Sequence, residues 1–234
     1  MGLFALAIAP GIAICIFIYF KDKYNREPIS LLAWSFILGM LSIIPAIILE
    51  TGFTKFFGNW VNESLPHIAF FTFVVIALSE EGSKFLVLSC FIYPRKAFDD
   101  PFDGIVYAVM VGMGFATLEN ISYVFQHGLA TAFLRMFMSV PAHGTFAVLM
   151  GYFTGLAKFN RNKQAWYFFL AILIPGIFHG SFDFCLFSGN AWLQAIGALL
   201  TLVIAIWLSL KAIRKKQQTS KNRFDGLADA GDRI

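Results

Sequence analysis

His67–Tyr93 reads HIAFFTFVVIALSEEGSKFLVLSCFIY, an apolar run long enough to span a bilayer, with Glu80, Glu81 and Lys84 near its middle. A carboxylate or ammonium at the centre of a membrane helix costs about 2.5–3.5 kcal/mol even on an insertion scale, so three ionisable groups there require partners, water or a task. Glu119, His143, His179 and Asp183 each lie in another apolar segment and are the available company.

Composition sets the class around that stretch. Hydrophobic residues make up 58% of the 234-residue chain and charged residues 14%, and the mean hydropathy is +0.70. This is too apolar for a soluble domain. Seven segments approach or exceed the roughly 20 residues that cross the hydrocarbon core as helix: Leu3–Phe20, Ile29–Leu49, His67–Tyr93, Asp103–Phe125, Val140–Ala157, Ala165–Phe187 and Trp192–Ile213. The predicted fold is an all-α polytopic transmembrane bundle of about seven spans, forming one domain over 1–213, with a short interfacial helix at Leu129–Met138. Residues 214–234 are basic and then polar, and are predicted to form a disordered cytoplasmic tail.

Lysine and arginine fall on alternate connectors. Lys21, Lys23 and Arg26 follow the first span, Arg95 and Lys96 the third, Lys158, Arg161 and Lys163 the fifth, and the tail is basic from Lys211. The opposite connectors carry only Lys55 and Arg135. The positive-inside rule then predicts an N-out/C-in orientation, with the first span an uncleaved anchor. The net charge of +4 reads as a topology signal beside anionic lipid, so the bilayer is a partner and nucleic acid is not. Cys15, Cys90 and Cys185 form no CxxC and read as small hydrophobes.

Helical spacing decides which polar groups share a site. Glu80 and Glu81 precede Lys84 by four and three residues, so the lysine reaches either, while the two carboxylates point about 100° apart. A packing ion pair explains one glutamate with one lysine; the second carboxylate is left over, since one lysine does not balance two in a low-dielectric medium. Glu119, followed by Asn120, lies beyond a small-residue face of Gly112, Gly114 and Ala116, which favours close helix approach. With no basic neighbour in sequence, Glu119 is expected to be protonated or paired from another helix. His179 and Asp183 share a face at four-residue spacing, so the aspartate can orient the imidazole, as it does for metal ligands and general bases. In the predicted topology Glu80 lies about 20 Å along its helix from His67, at about 1.5 Å per residue. All these groups then meet between the midplane and the outer face.

The ordered set E-E-x-x-K (Glu80, Glu81, Lys84), F-x-x-x-E-N (Phe115, Glu119, Asn120), His143 and H-x-x-x-D (His179, Asp183) resembles the PrsW family of bacterial membrane proteases. That family is distantly related to the CAAX prenyl endopeptidases and the abortive-infection-type CPBP proteins. The resemblance covers about Ile29–Phe187 and is closest over Asp100–Phe125. It implies a bacterial plasma-membrane endopeptidase that cuts a membrane-tethered protein of the anti-sigma-factor type. Lys84 departs from the arginine of E-E-x-x-x-R, and Glu119 stands where the CAAX branch has the histidine of F-x-x-x-H. Signatures of rhomboid (G-x-S-G), site-two (H-E-x-x-H) and presenilin-like (G-x-G-D) proteases are absent from the sequence.

Peptide hydrolysis of this kind requires an activated water, oxyanion stabilisation and a proton for the leaving amine. These requirements cast Glu80 as general base tuned by Glu81 and Lys84, Glu119 as part of the acid–base set with Asn120 in support, and His179 as a donor aimed by Asp183 at the oxyanion. His143 is a further donor. No cofactor is favoured, and zinc held by His143, His179, Asp183 and a glutamate is the alternative. A proton- or ion-coupled transporter is the reading from another class, because proton relays use the same residue types. The charge alternation predicts that cysteines introduced at Asn59 or Gly189 react with an impermeant maleimide added outside cells, whereas those at Arg95 or Asn162 react only after permeabilisation. The reverse labelling pattern would invert the topology.

Overall fold

The computed structural model describes residues 2–57 and 64–231, and every regular element among them is helical. The α-helices are α1 (Gly2–Lys21), α2 (Ile29–Leu41), α3 (Ile43–Phe57), α4 (Leu65–Phe70), α5 (Leu78–Val87), α6 (Asp103–His127), α7 (Leu129–Phe137), α8 (Ser139–Phe159), α9 (Gln164–Phe187) and α10 (Ala198–Gly231). Wider π-helical turns at Phe71–Ala77 and Leu88–Ile92 flank α5, and a third at Leu193–Gly197 leads into α10. Among the described residues six helical stretches are long and apolar enough to cross a membrane. The seventh predicted span is the run from α4 through α5 to Ile92, the one that carries Glu80, Glu81 and Lys84. The predicted second span is interrupted at Ser42, whose Oγ donates to Gly39 O at 2.7 Å, a local bond that competes with the helical ladder.

α6 is the axis of the bundle. Its most apolar 18-residue window is 83% buried against 22% for that of α1, and it packs chiefly on α8, α2 and α1. Lipid tails give helices no hydrophobic reason to associate, so contact depends on backbones approaching closely. A Cβ at Gly114 would overlap the Phe36 carbonyl oxygen on α2, and one at Gly112 would lie 2.6 Å from the Ala147 Cβ on α8. The small-residue face thus meets two helices, and the α8 contact brings His143 alongside α6.

Polar ties gather at the end where the basic connectors lie. Asn25 Nδ2 donates to Asp99 Oδ1 at 2.7 Å, Lys158 Nζ to Tyr93 O at 2.5 Å, and Arg223 Nη1 to Asp99 O at 2.7 Å. The connectors after α1, after Ile92 and after α8 therefore share one end of the bundle, as the predicted alternation requires. Asp22 and Glu27 are buried there, and Tyr107 OH donates to Glu27 Oε2. Burial pushes the Asp22 carboxyl up to about 7 and that of Glu27 above its usual range.

The tail departs from its predicted disorder. α10 continues through the Lys- and Gln-rich stretch as far as Gly231, since these residues are good helix formers and tertiary bonds hold them. Gln217 Nε2 donates to Lys21 O at 2.5 Å, Ser220 is buried, and the Phe224 and Tyr24 rings lie 6.3 Å apart. Residues 232–234 of the predicted tail, and Asn59, lie outside the described residues.

Gly114→Ala would drive a methyl group into the α2 backbone, which cannot rotate out of the way. Thermal unfolding in detergent should show a loss of about 1–3 kcal/mol, and an unchanged Tm would mean that the α2–α6 contact is looser than described.

Candidate active site

The polar residues of α5 converge on a single ammonium. Lys84 Nζ donates to Glu80 Oε2 at 3.0 Å and to Glu81 Oε1 at 2.8 Å, and lies 3.3 Å from His143 Nδ1. It also stands 4.0 Å from the centre of the Phe115 ring, a cation–π contact that gives the Phe of F-x-x-x-E a physical role. Spacing predicts that Lys84 reaches either glutamate; the structure has it bonding both. The glutamates nonetheless diverge, Glu80 to line a cavity and Glu81 to meet α9. The π-helical turns on either side of α5 set its phase, since an i→i+5 turn rotates the next residues relative to a regular helix.

Both nitrogens of His179 face carboxylates. Nδ1 lies 2.9 Å from Glu81 Oε1, while Nε2 is 3.3 Å from Asp183 Oδ2 and 4.0 Å from Glu80 Oε2. Orientation is therefore shared: Asp183 has the predicted contact, and Glu81 makes the shorter one. The Phe146 ring stacks on the imidazole at 5.2 Å, and the His143 ring meets it edge-on at 5.1 Å.

Glu119 is paired from two other helices, as its isolation in sequence requires. Its Oε2 accepts from Arg135 Nη2 of α7 at 2.7 Å and lies 3.0 Å from His143 Nε2. The hydrogen-bond network assigns the His143 tautomer: an ammonium can only donate, so Nδ1 accepts from Lys84 and Nε2–H donates to Glu119. Asn120 ties the region down, its Nδ2 donating to Ala7 O and its Oδ1 accepting from Arg135 Nε, both at 2.8 Å.

These groups surround a cavity of about 320 Å³, whose lining includes Glu80, His143, His179, Glu119 and Asp183. Two further charged residues, Glu50 and Arg135, also line it and are missed by sequence reasoning. Glu50 falls one residue past the predicted second span, yet it continues the α3 face of Ile43, Ala46 and Ile47, a 3–4–7 spacing that could have flagged it. Arg135 enters the sequence reading only as an exception on the connectors poor in basic residues, and it is the partner that Glu119 lacks there.

The metal-ligand set also differs from the expected one. Among the described residues, Glu80, Glu81, His143 and His179 are all buried and offer ligand atoms within 4.8 Å of one another; Asp183 is not of this group. Asp183 instead contacts His179 as its i,i+4 neighbour along α9, at Nε2, the nitrogen that also faces Glu80 from α5 at 4.0 Å. Two imidazoles and two carboxylates fit a dication such as zinc in kind and spacing. Glu81 Oε2 is buried without a hydrogen-bond partner among the described residues, which also suits a ligand oxygen. Lys84 Nζ contacts three of the four donors, so its present position and a bound cation compete.

Comparison with known proteins gives one consistent outcome. The pattern described as PrsW family intramembrane metalloprotease matches residues 27–210. The chain is 39% identical to protease PrsW of Clostridioides difficile over 97% of its own length and 96% of the relative's. It is 34% identical to protease PrsW of Geobacillus kaustophilus over 93% and 92%, and 33% identical to that of Bacillus subtilis over 94% and 97%. No solved structure matches the chain.

Lys84→Met would leave Glu80 and Glu81 buried without their ammonium. Breaking such a pair from one side costs about 3–5 kcal/mol, so the Tm in detergent should fall well below that of the native protein. A Tm equal to the native value would show that the carboxylates do not need the lysine's charge.

Proposed function

The chain belongs to the PrsW family of intramembrane proteases and is an integral protein of a bacterial membrane; from that premise we propose that it hydrolyses a peptide bond of a membrane-tethered protein with water activated by Glu80. The observation that carries this reading is the position of Glu80. It is 6% exposed, yet it lines the cavity beside both histidines, within the set of groups that hydrolysis needs.

In this mechanism Glu80 takes a proton from water as the oxygen adds to the scissile carbonyl carbon. The oxyanion takes over the Nε2–H of His179 from Asp183, the longer of the two contacts at 3.3 Å, while Glu81 holds Nδ1 at 2.9 Å and Lys84 fixes Glu80 at 3.0 Å. As the C–N bond breaks, the proton on Glu80 passes to the leaving amine, so one water is consumed and a carboxylic acid and an amine are released. Glu119 and Asn120 serve indirectly, Glu119 by holding His143 and both by holding Arg135. The substrate class in this proposal is a single-span regulator of the anti-sigma-factor type, cut on its outer side, and 1–213 is the protease domain.

A metal-assisted reading has its own support in the four-donor cluster and in the family's description as metalloprotease. Glu80, Glu81, His143 and His179 would hold the ion, which when bound would polarise the carbonyl and acidify water. Each version has a distinct signature. Glu80→Gln should lower cleavage of a tethered substrate by about 10²–10⁴-fold with the fold retained, and chelators should leave the native protein active. Loss of activity on chelation, restored by zinc, would favour the metal-assisted version, and a fully active Glu80→Gln would remove Glu80 from its assigned role.

A further inference from the structure

A second cavity, about 580 Å³ in volume, lies between α7 and the corner joining α9 to α10. It shares four lining residues with the catalytic cavity: Tyr123, Arg135, Ser139 and Leu186. One wall carries Leu134 and Met138, and the other carries Gln194, Ala195 and Leu199. The corner between α9 and α10 is well defined. Gly189 takes a positive φ of 68°, and Asn190 Oδ1 accepts from the backbone N–H groups of Trp192 and Leu193 at 3.0 and 3.2 Å. At the threshold stands Arg135, bonded to Glu119 and Asn120, with its guanidinium 4.2 Å from the centre of the Tyr123 ring.

We propose that this groove is the docking channel of the substrate, receiving an extended juxtamembrane segment of the tethered protein and passing it over Arg135 to Glu80. The proposal rests on the protease reading and names the route into its site. Continuity with the catalytic cavity favours this occupant, as does the chemistry of the walls. A peptide bond must leave helical geometry to be cut, and its freed N–H and C=O groups then need polar partners that lipid does not supply. Thr131, Ser139, Arg135 and the Oε1 of Gln194, whose Nε2 donates to Leu186 O at 3.0 Å, set such partners among apolar side chains, whereas a lipid tail would need none. The cavity sizes fall within the range of specific binding pockets. Arg135 spends two of its five N–H donors on Glu119 and Asn120, and a passing carbonyl is the acceptor its fork suits.

A photoreactive phenylalanine placed at Leu134 or Ala195 of full-length Glu80→Gln protein tests the route directly. The probe is a panel of fusions, each a single membrane span bearing the outer linker of a regulator from the same genome and a fluorescent domain. The wall positions should crosslink to the fusions that the native enzyme cleaves, and a control at Phe169, exposed on α9, should not. In parallel, Ala195→Trp, at an exposed position, should slow cleavage about tenfold with an unchanged Tm, while Phe169→Trp should not. Adducts to lipid alone, or no adducts at the wall positions while the native enzyme cleaves, would overturn the channel. Native speed in Ala195→Trp would do so too. If the native enzyme cleaves no fusion, the protease reading fails first, and the channel stands or falls on the same crosslinks as a docking site.

Discussion

An ammonium in the middle of a membrane protein must find counter-charges and acceptors within reach, and Lys84 finds two carboxylates on its own helix, an imidazole on a second and an aromatic face on a third. Two unit charges about 4 Å apart interact by about 1 kcal/mol in water but by about 4 kcal/mol at the effective dielectric constant of a protein surface. A network that would be loose in solvent is therefore rigid here. Lys84 joins Glu80 and Glu81 from its own helix, His143 from α8 and the Phe115 face from α6. Glu81 then carries the connection to His179 on α9, and His143 carries it to Glu119 and Arg135. The relative rotation of five helices, α5 to α9, is thereby tied to one charged nitrogen.

The identity of that nitrogen matters. A guanidinium is a planar fork suited to one carboxylate at a time, whereas an ammonium is a compact charge with three donors that can point to three acceptors. Lysine therefore suits the convergent geometry seen here, with three acceptors within 3.3 Å. Such a centre needs its helices close together, and Gly112 and Gly114 let α8 and α2 approach α6 at backbone distance. The packing of small residues and the placement of charge are two aspects of one construction.

Hydrolysis in a bilayer also needs a route for water and for a peptide that has left its helix. The carboxylate cavity and the adjoining groove both lie away from the end where Asn25, Asp99, Lys158 and Arg223 bind the connectors together. One end of the bundle is closed by polar ties, and the half containing Glu119, Arg135 and Asp183 holds the space. That division matches the charge alternation of the chain, with the basic connectors at the tied end.

Whatever depends on local helix geometry was legible in the chain. The membrane class follows from composition, the contact of Lys84 with its glutamates from three- and four-residue spacing, and the His179–Asp183 pair from the same rule. The need of Glu119 for a distant partner follows from its isolation. The partner itself, Arg135, does not follow, because the folding back of α7 onto α6 is a tertiary event with no periodic trace. Nor do the bond of Glu81 to His179 or the helical course of the tail, held at Gln217 and Arg223 by residues more than a hundred positions away. The sequence by itself determined which groups had to be paired, since burial of charge in a membrane is costly wherever it occurs. Only the tertiary structure decided with whom, because partner choice depends on how each helix is rotated about its axis, and packing between helices sets that rotation.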